Sequence, residues 1–210
     1  MLGHRGWERR RTKFIHLCEG DDVPWGTTHR TIQTLLECLN RQVPTVQELV
    51  DFFLVPSAHT PMVTEEAGEN LEPHDIGVWL LCVHGITSTC VLLSLDLPKT
   101  NNMEVPYTKV SKRTTLDTYT TYPNERMNYE RFMDKMSKTS APVIINNGEQ
   151  SYIILEMIYN NKNKSGAGAS LRIGDPLTSH SNNIPWVSAK RFLYNKSNGT
   201  GHWMCIFIDP

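Results

Sequence analysis

The residue types that could do nucleophilic, acid–base or metal chemistry are few and widely spaced. Five cysteines stand at Cys18, Cys38, Cys82, Cys90 and Cys205. Their number is odd and no two form a Cys-x-x-Cys pair, so neither a disulfide framework nor a structural zinc site is expected. No spacing of histidine, cysteine and aspartate recommends a metal, and His84 and His202 read as satisfied or exposed histidines, so no metal and no cofactor is expected. Gly166-Ala167-Gly168-Ala169 lacks the spacing of a phosphate-cradling loop and reads as a hairpin tip. Three glycosylation sequons begin at Asn163, Asn195 and Asn198, but the first 20 residues lack the apolar stretch of a secretory signal.

The whole-chain composition narrows the classes. The chain has 210 residues, 21 basic and 22 acidic side chains and a formal charge of −1. A charge so close to zero argues against bulk electrostatic binding of nucleic acid. The longest apolar run, Val78 to Val83, is broken at His84-Gly85 and falls well short of the roughly 18 residues of a membrane span. One domain is expected at 14–210, preceded by a basic arm at 1–13 that carries Arg5, Arg9, Arg10, Arg11 and Lys13 around Trp7.

The elements that would position a site follow from hydrophobic period. Trp25-Gly26-Thr27-Thr28 leads into Ile32, Leu35, Leu36 and Leu39, one face of a helix, which Thr27 or Thr28 would cap. Thr45-Val46-Gln47-Glu48 fits a capping box and opens a second helix with Leu49, Phe52 and Phe53 inside. Residues 56–73 read as a loop, and 75–85 fits a buried helix or a buried strand equally. Thr87 to Leu95 predicts a strand, residues 97–123 a long polar insertion, and Asn124 to Lys138 a helix with Tyr129, Phe132, Met133 and Met136 on one side. Strands are predicted at 142–145, 152–159, 170–174 and 203–208, with a polar hairpin loop at 160–169 and a short helix over Trp186 to Tyr194. Helices first and a mainly antiparallel sheet afterwards make an α+β domain.

Two segments together resemble the cysteine proteases specific for the ubiquitin-fold modifier, a papain-like branch. The first is Asp21-Asp22-Val23-Pro24-Trp25-Gly26-Thr27-Thr28-His29-Arg30-Thr31-Ile32-Gln33-Thr34, where the family reads acidic residues and then Trp-Gly-Cys-Ala-Tyr-Arg-Ser-Leu-Gln-Thr. The second is Ala141-Pro142-Val143-Ile144-Ile145, then Tyr152 to Met157, then Ile173-Gly174-Asp175-Pro176, where the family carries Thr-Pro-Val-Met, a strand and Asp-Pro-His. Asp75-Ile76-Gly77 and Gly85-Ile86-Thr87-Ser88 echo its Trp-Ile-Gly and Gly-Ile-Thr-Ser. The resemblance covers 14–210, and its most specific part is the Trp-Gly-x-x-x-Arg-x-x-Gln-Thr block. It implies a papain-like fold with N-terminal helices packed on the sheet, a helix at Asp75 to His84, and a tail-binding groove that would use Trp25, Gly26, Arg30, Gln33, Gly174 and Pro176.

The chemistry the resemblance implies needs a thiolate at a helix N-terminus, a histidine to take its proton, an aspartate to orient that histidine and a donor for the oxyanion. This chain departs at the decisive places. Thr27 stands at the nucleophile position, Leu177 at the histidine position, and Phe14 or Ile15 at the oxyanion tyrosine; Asp175 alone is kept. Thr27 is internal, so activation by an N-terminal amine is closed to it. His29 lies two positions along the helix and does not face it; His180 would need a rebuilt loop. The expectation is therefore a pseudoprotease without catalysis. It would bind the ubiquitin-fold modifier or a component of its ligation and deconjugation machinery, in the cytoplasm or at the periphery of the endoplasmic reticulum. The alternatives are a scaffold for another protein, such as an active protease paralogue, an unrelated protein-interaction scaffold, and an active thiol hydrolase that cleaves the modifier from precursors or conjugates through Cys18 or Cys38 in a rearranged site.

Overall fold

A computed structural model describes residues 15–19, 25–54, 73–95, 125–158, 168–178 and 184–209. The basic arm at 1–13, Phe14, the polar insertion at 97–123, most of the hairpin loop at 160–169 and His180 lie outside the described residues. The described residues form five helices and seven strands: α1 (Thr27–Cys38), α2 (Val46–Leu54), α3 (Pro73–His84), β1 (Ser88–Ser94), β2 (Glu125–Met127), α4 (Tyr129–Lys138), β3 (Val143–Asn146), β4 (Ser151–Ile158), β5 (Ser170–Gly174), β6 (Trp186–Ser188), α5 (Ala189–Asn195) and β7 (His202–Ile208). None of these helices is long and apolar enough to cross a membrane.

The strands form one sheet in the order β2-β1-β7-β3-β4-β5-β6. Every neighbouring pair is antiparallel except β1 and β2, which run parallel. The last of the described strands in sequence thus lies inside the sheet, third from one edge. Its sequence explains why: Trp203, Cys205 and Phe207 point into one core and Ile206 into the other, so both faces must be covered. On one side α4 and α5 bring Phe132, Met133, Met136, Ala189 and Leu193 against the sheet. On the other, α1, α2 and α3 bring Ile32, Leu35, Leu36, Leu49, Ile76, Trp79 and Leu80. The result is three layers, helices on both faces of a mixed sheet.

Several elements follow the sequence pattern closely. In α1, Ile32, Leu35 and Leu36 are fully buried, and the helix stops at Leu39, half-buried. The capping box at α2 is formed: Glu48 N donates to Thr45 Oγ1 (3.1 Å) and Thr45 N to Glu48 Oε2 (2.7 Å). The Thr45 amide, and after it the Thr45 hydroxyl, which also donates to Glu48 Oε2 (3.0 Å), hold the Glu48 carboxyl below its ordinary range. Residues 73–84 form a helix, as the resemblance implied.

Three expectations are corrected. The helix expected from Asn124 begins at Tyr129, because Asn128 turns its side chain to accept from Arg131 N (3.0 Å) and the residues before it join the sheet as β2. The helix expected from Trp186 begins at Ala189, with Ser188 as its cap and Trp186–Ser188 paired to β5 as a short edge strand. Neither Thr27 nor Thr28 caps α1: the N-cap position is Gly26, and it makes no side-chain capping bond.

Candidate functional site

The hydroxyls at the head of α1 are directed across to β4 instead of back along their own helix. Ser151 N donates to Thr27 Oγ1 (3.1 Å), and Thr28 Oγ1 lies 2.8 Å from Ser151 Oγ. Asn146 Nδ2 donates to the same Ser151 Oγ (2.9 Å), and Thr31 Oγ1 donates to Thr28 O (2.7 Å). Thr27 is 4% exposed and Thr28 5%. Burying hydroxyls requires partners, and a buried strand-end amide needs an acceptor; at this junction each answers the other. The correction to the capping expectation has this cause.

β5 brings Asp175 to the same end of the sheet. Gly174 pairs with Ile153, so Asp175 follows at the level of Tyr152, next to Ser151. The Asp175 carboxylate accepts from Leu177 N (3.0 Å), while Thr178 N and Thr178 Oγ1 donate to Asp175 O (3.1 and 3.2 Å). Leu177 is 39% exposed. Thr27 and Asp175 therefore flank the first two residues of β4. Between them the chain supplies Ser151 and Tyr152. Tyr152 OH donates to Gln150 Oε1 (2.6 Å). Burial, and then the charges of Asp175 and Glu149, push its phenol up to about 12 from an ordinary 10.

Segment 15–19 runs along this end of the sheet. Cys18 N donates to Pro176 O (2.9 Å) and His16 N to Thr34 Oγ1 of α1 (3.0 Å). Ile15, one of the two residues that the resemblance sets where the family has its oxyanion tyrosine, is buried against Gly174: a Cβ there would lie 2.6 Å from Ile15 Cδ1 and 2.8 Å from Ile153 Cγ2. Gly174 is thus required by a close side-chain approach, not by backbone conformation.

The remaining expected binding residues divide. Trp25 and Gly26 stay at the head of α1, with the Trp25 ring edge-on to His29 at 5.1 Å. Pro176 follows Asp175 in its turn and is buried. Arg30 Nη1 donates to Gln33 Oε1 (3.2 Å), and Gln33 Nε2 donates to Pro44 O (2.7 Å), so both are tied to the α1–α2 connection. Cys38 is the last residue of α1, at its far end from Thr27. Cys18 stands beside Pro176, one residue from Leu177. Among the described residues no three histidines, cysteines or carboxylates cluster as metal ligands would. Sequence reasoning missed Ser151, Asn146 and Tyr152; Ser151 lies 124 residues from Thr27, and no local pattern announces the bond.

Comparison with known proteins gives a structural answer where sequence comparison does not. No protein-family model matches, and no curated protein matches in sequence. The crystal structure of UfSP from C. elegans does, with a TM-score of 0.56 at 12% identity, over 94% of this chain. The chain shares the fold of UfSP. It spans about a third of that structure, 34% of its length. The three-layer arrangement around a mixed sheet is thus a papain-like α+β fold.

Proposed function

We propose that this chain is a catalytically silent relative of the proteases specific for the ubiquitin-fold modifier, and that it acts by binding the modifier or a partner in its conjugation pathway. UfSP is a protease of that kind, and the fold it shares with this chain is one support. The observation that carries the reading is the state of the Thr27 hydroxyl. It is buried and accepts the Ser151 amide, where a nucleophile would have to face the substrate. Leu177 offers no base, and the Asp175 carboxylate is engaged within its own turn. Loss of one triad member typically costs on the order of 10⁴–10⁶ in rate, and here two are replaced. A groove that recognises an extended tail by backbone pairing and shape does not depend on the nucleophile.

Titration of the isotope-labelled chain with the ubiquitin-fold modifier tests this. Amide shifts at Trp25 and Gly174 are expected; none at millimolar concentration overturns modifier binding. A modifier with a thiol-reactive C-terminal warhead should leave the chain unlabelled. Labelling abolished by Cys18→Ala or Cys38→Ala would replace this reading with that of an active thiol hydrolase.

A further inference from the structure

The chain contains two Asn-Gly pairs, Asn147-Gly148 and Asn198-Gly199, and the structure treats them oppositely. We propose that Asn198 is a site of spontaneous, succinimide-mediated deamidation and that Asn147 is protected from it. In this chemistry the amide nitrogen after the asparagine attacks the side-chain Cγ. A new C–N bond forms, the carboxamide C–N bond breaks, and ammonia leaves with the proton of the attacking amide. Water then opens the cyclic imide at either carbonyl to give aspartate or isoaspartate. Glycine favours the step because no side chain shields its nitrogen.

Asn147 is held on every side. Its Nδ2 donates to Lys196 O (2.7 Å), and its Oδ1 accepts from Glu149 N (2.9 Å) and Gln150 N (2.8 Å). The attacking atom is engaged as well: Gly148 N donates to Asn146 Oδ1 (2.7 Å). Reaction there needs the loop to open first. Asn198 lies in the turn between α5 and β7, exposed, in the left-handed region with φ 53, followed by Gly199 at φ 70. Among the described residues neither the Asn198 side chain nor Gly199 N has a hydrogen-bond partner. The side chain is free to swing onto the Gly199 nitrogen.

The product has a place to act. From Ile184 to Ile208 the chain carries Lys190, Arg191 and Lys196 and no carboxylate, so the new charge enters a basic stretch. The same turn follows Lys196, whose carbonyl clamps Asn147 and with it the 146–151 loop that ends at Ser151.

The test is to hold the whole folded chain at mildly alkaline pH and map peptides by mass. The Asn198 peptide should gain the mass of an NH-to-O exchange and split into aspartyl and isoaspartyl forms. Its conversion should run at least about tenfold faster than that of the Asn147 peptide, because the latter waits on local opening. In urea the two rates should converge, which identifies the fold as the protection. Asn198→Gln should abolish the signal at that peptide. Equal rates in the folded chain, or conversion of Asn198 only after unfolding, would overturn the proposal.

Discussion

The head of α1 and the turn after β5 sit at one end of the sheet and differ in how their polar groups are used. At α1 the hydroxyls of Thr27 and Thr28 are buried and bonded across the layer to Ser151, which also takes a bond from Asn146. Past β5 the Asp175 carboxylate satisfies its own turn, and Leu177 stands exposed. One half of the junction is a weld between helix and sheet, while the other is a surface turn. Mutations on the two sides should therefore have very different costs, even though the resemblance gives both positions catalytic rank.

The largest expected effect is at the weld. Thr27→Val keeps the shape but deprives the buried Ser151 amide of its acceptor, which should cost about 1–3 kcal/mol in urea unfolding. Thr27→Ser should recover most of that. A loss below about 0.5 kcal/mol for the valine would show that the hydroxyl holds nothing.

The next effect reads the coupling between the two sides. The Tyr152 phenol is raised to about 12 in the fold from an ordinary 10, so the folded chain holds that proton more tightly than the unfolded one. Its contribution is fully present below about pH 10 and is lost as pH climbs toward 12. Tyr152→Phe should flatten stability across that window. Asp175→Asn should narrow the fall, because the Asp175 charge is the second cause of the shift after burial. A fall unchanged in Tyr152→Phe would assign it elsewhere.

The smallest effect is at the surface turn. Leu177→His should change stability by no more than about 0.5 kcal/mol, since the side chain is already exposed. A larger loss would mean that Leu177 packs against something and that the two sides are more alike than their exposure indicates.

Much of the frame was legible because its signals are local. The stripe of Ile32, Leu35 and Leu36, the box of Thr45 and Glu48, and the side of Phe132, Met133 and Met136 each declare themselves within one or two turns. Other features depend on partners distant in sequence. Thr27 has the residue type of a cap and serves as an acceptor for Ser151, a choice that only tertiary contact decides. Trp186–Ser188 has too few residues to show a period and is a strand only because β5 pairs with it. Asp175 is singled out in the sequence by the resemblance alone; its level beside Tyr152 depends on the β4–β5 register, with its irregularity between Ile154 and Glu156.

The position of β7 governs how the molecule can be made. Among the described residues, the sheet joins β1 and β2 to β3 through β6 only by way of His202–Ile208, which hydrogen-bonds to β1 on one edge and β3 on the other. During synthesis the nascent polypeptide would carry two unjoined half-sheets, each with a raw border, until that strand emerges from the ribosome. Such late, sequence-distant closure is slow and exposes unpaired edges to other chains. Ribosome-bound chains that stop short of Trp203 should remain open to protease, and release of a few more residues should convert them to the resistant state in a single step.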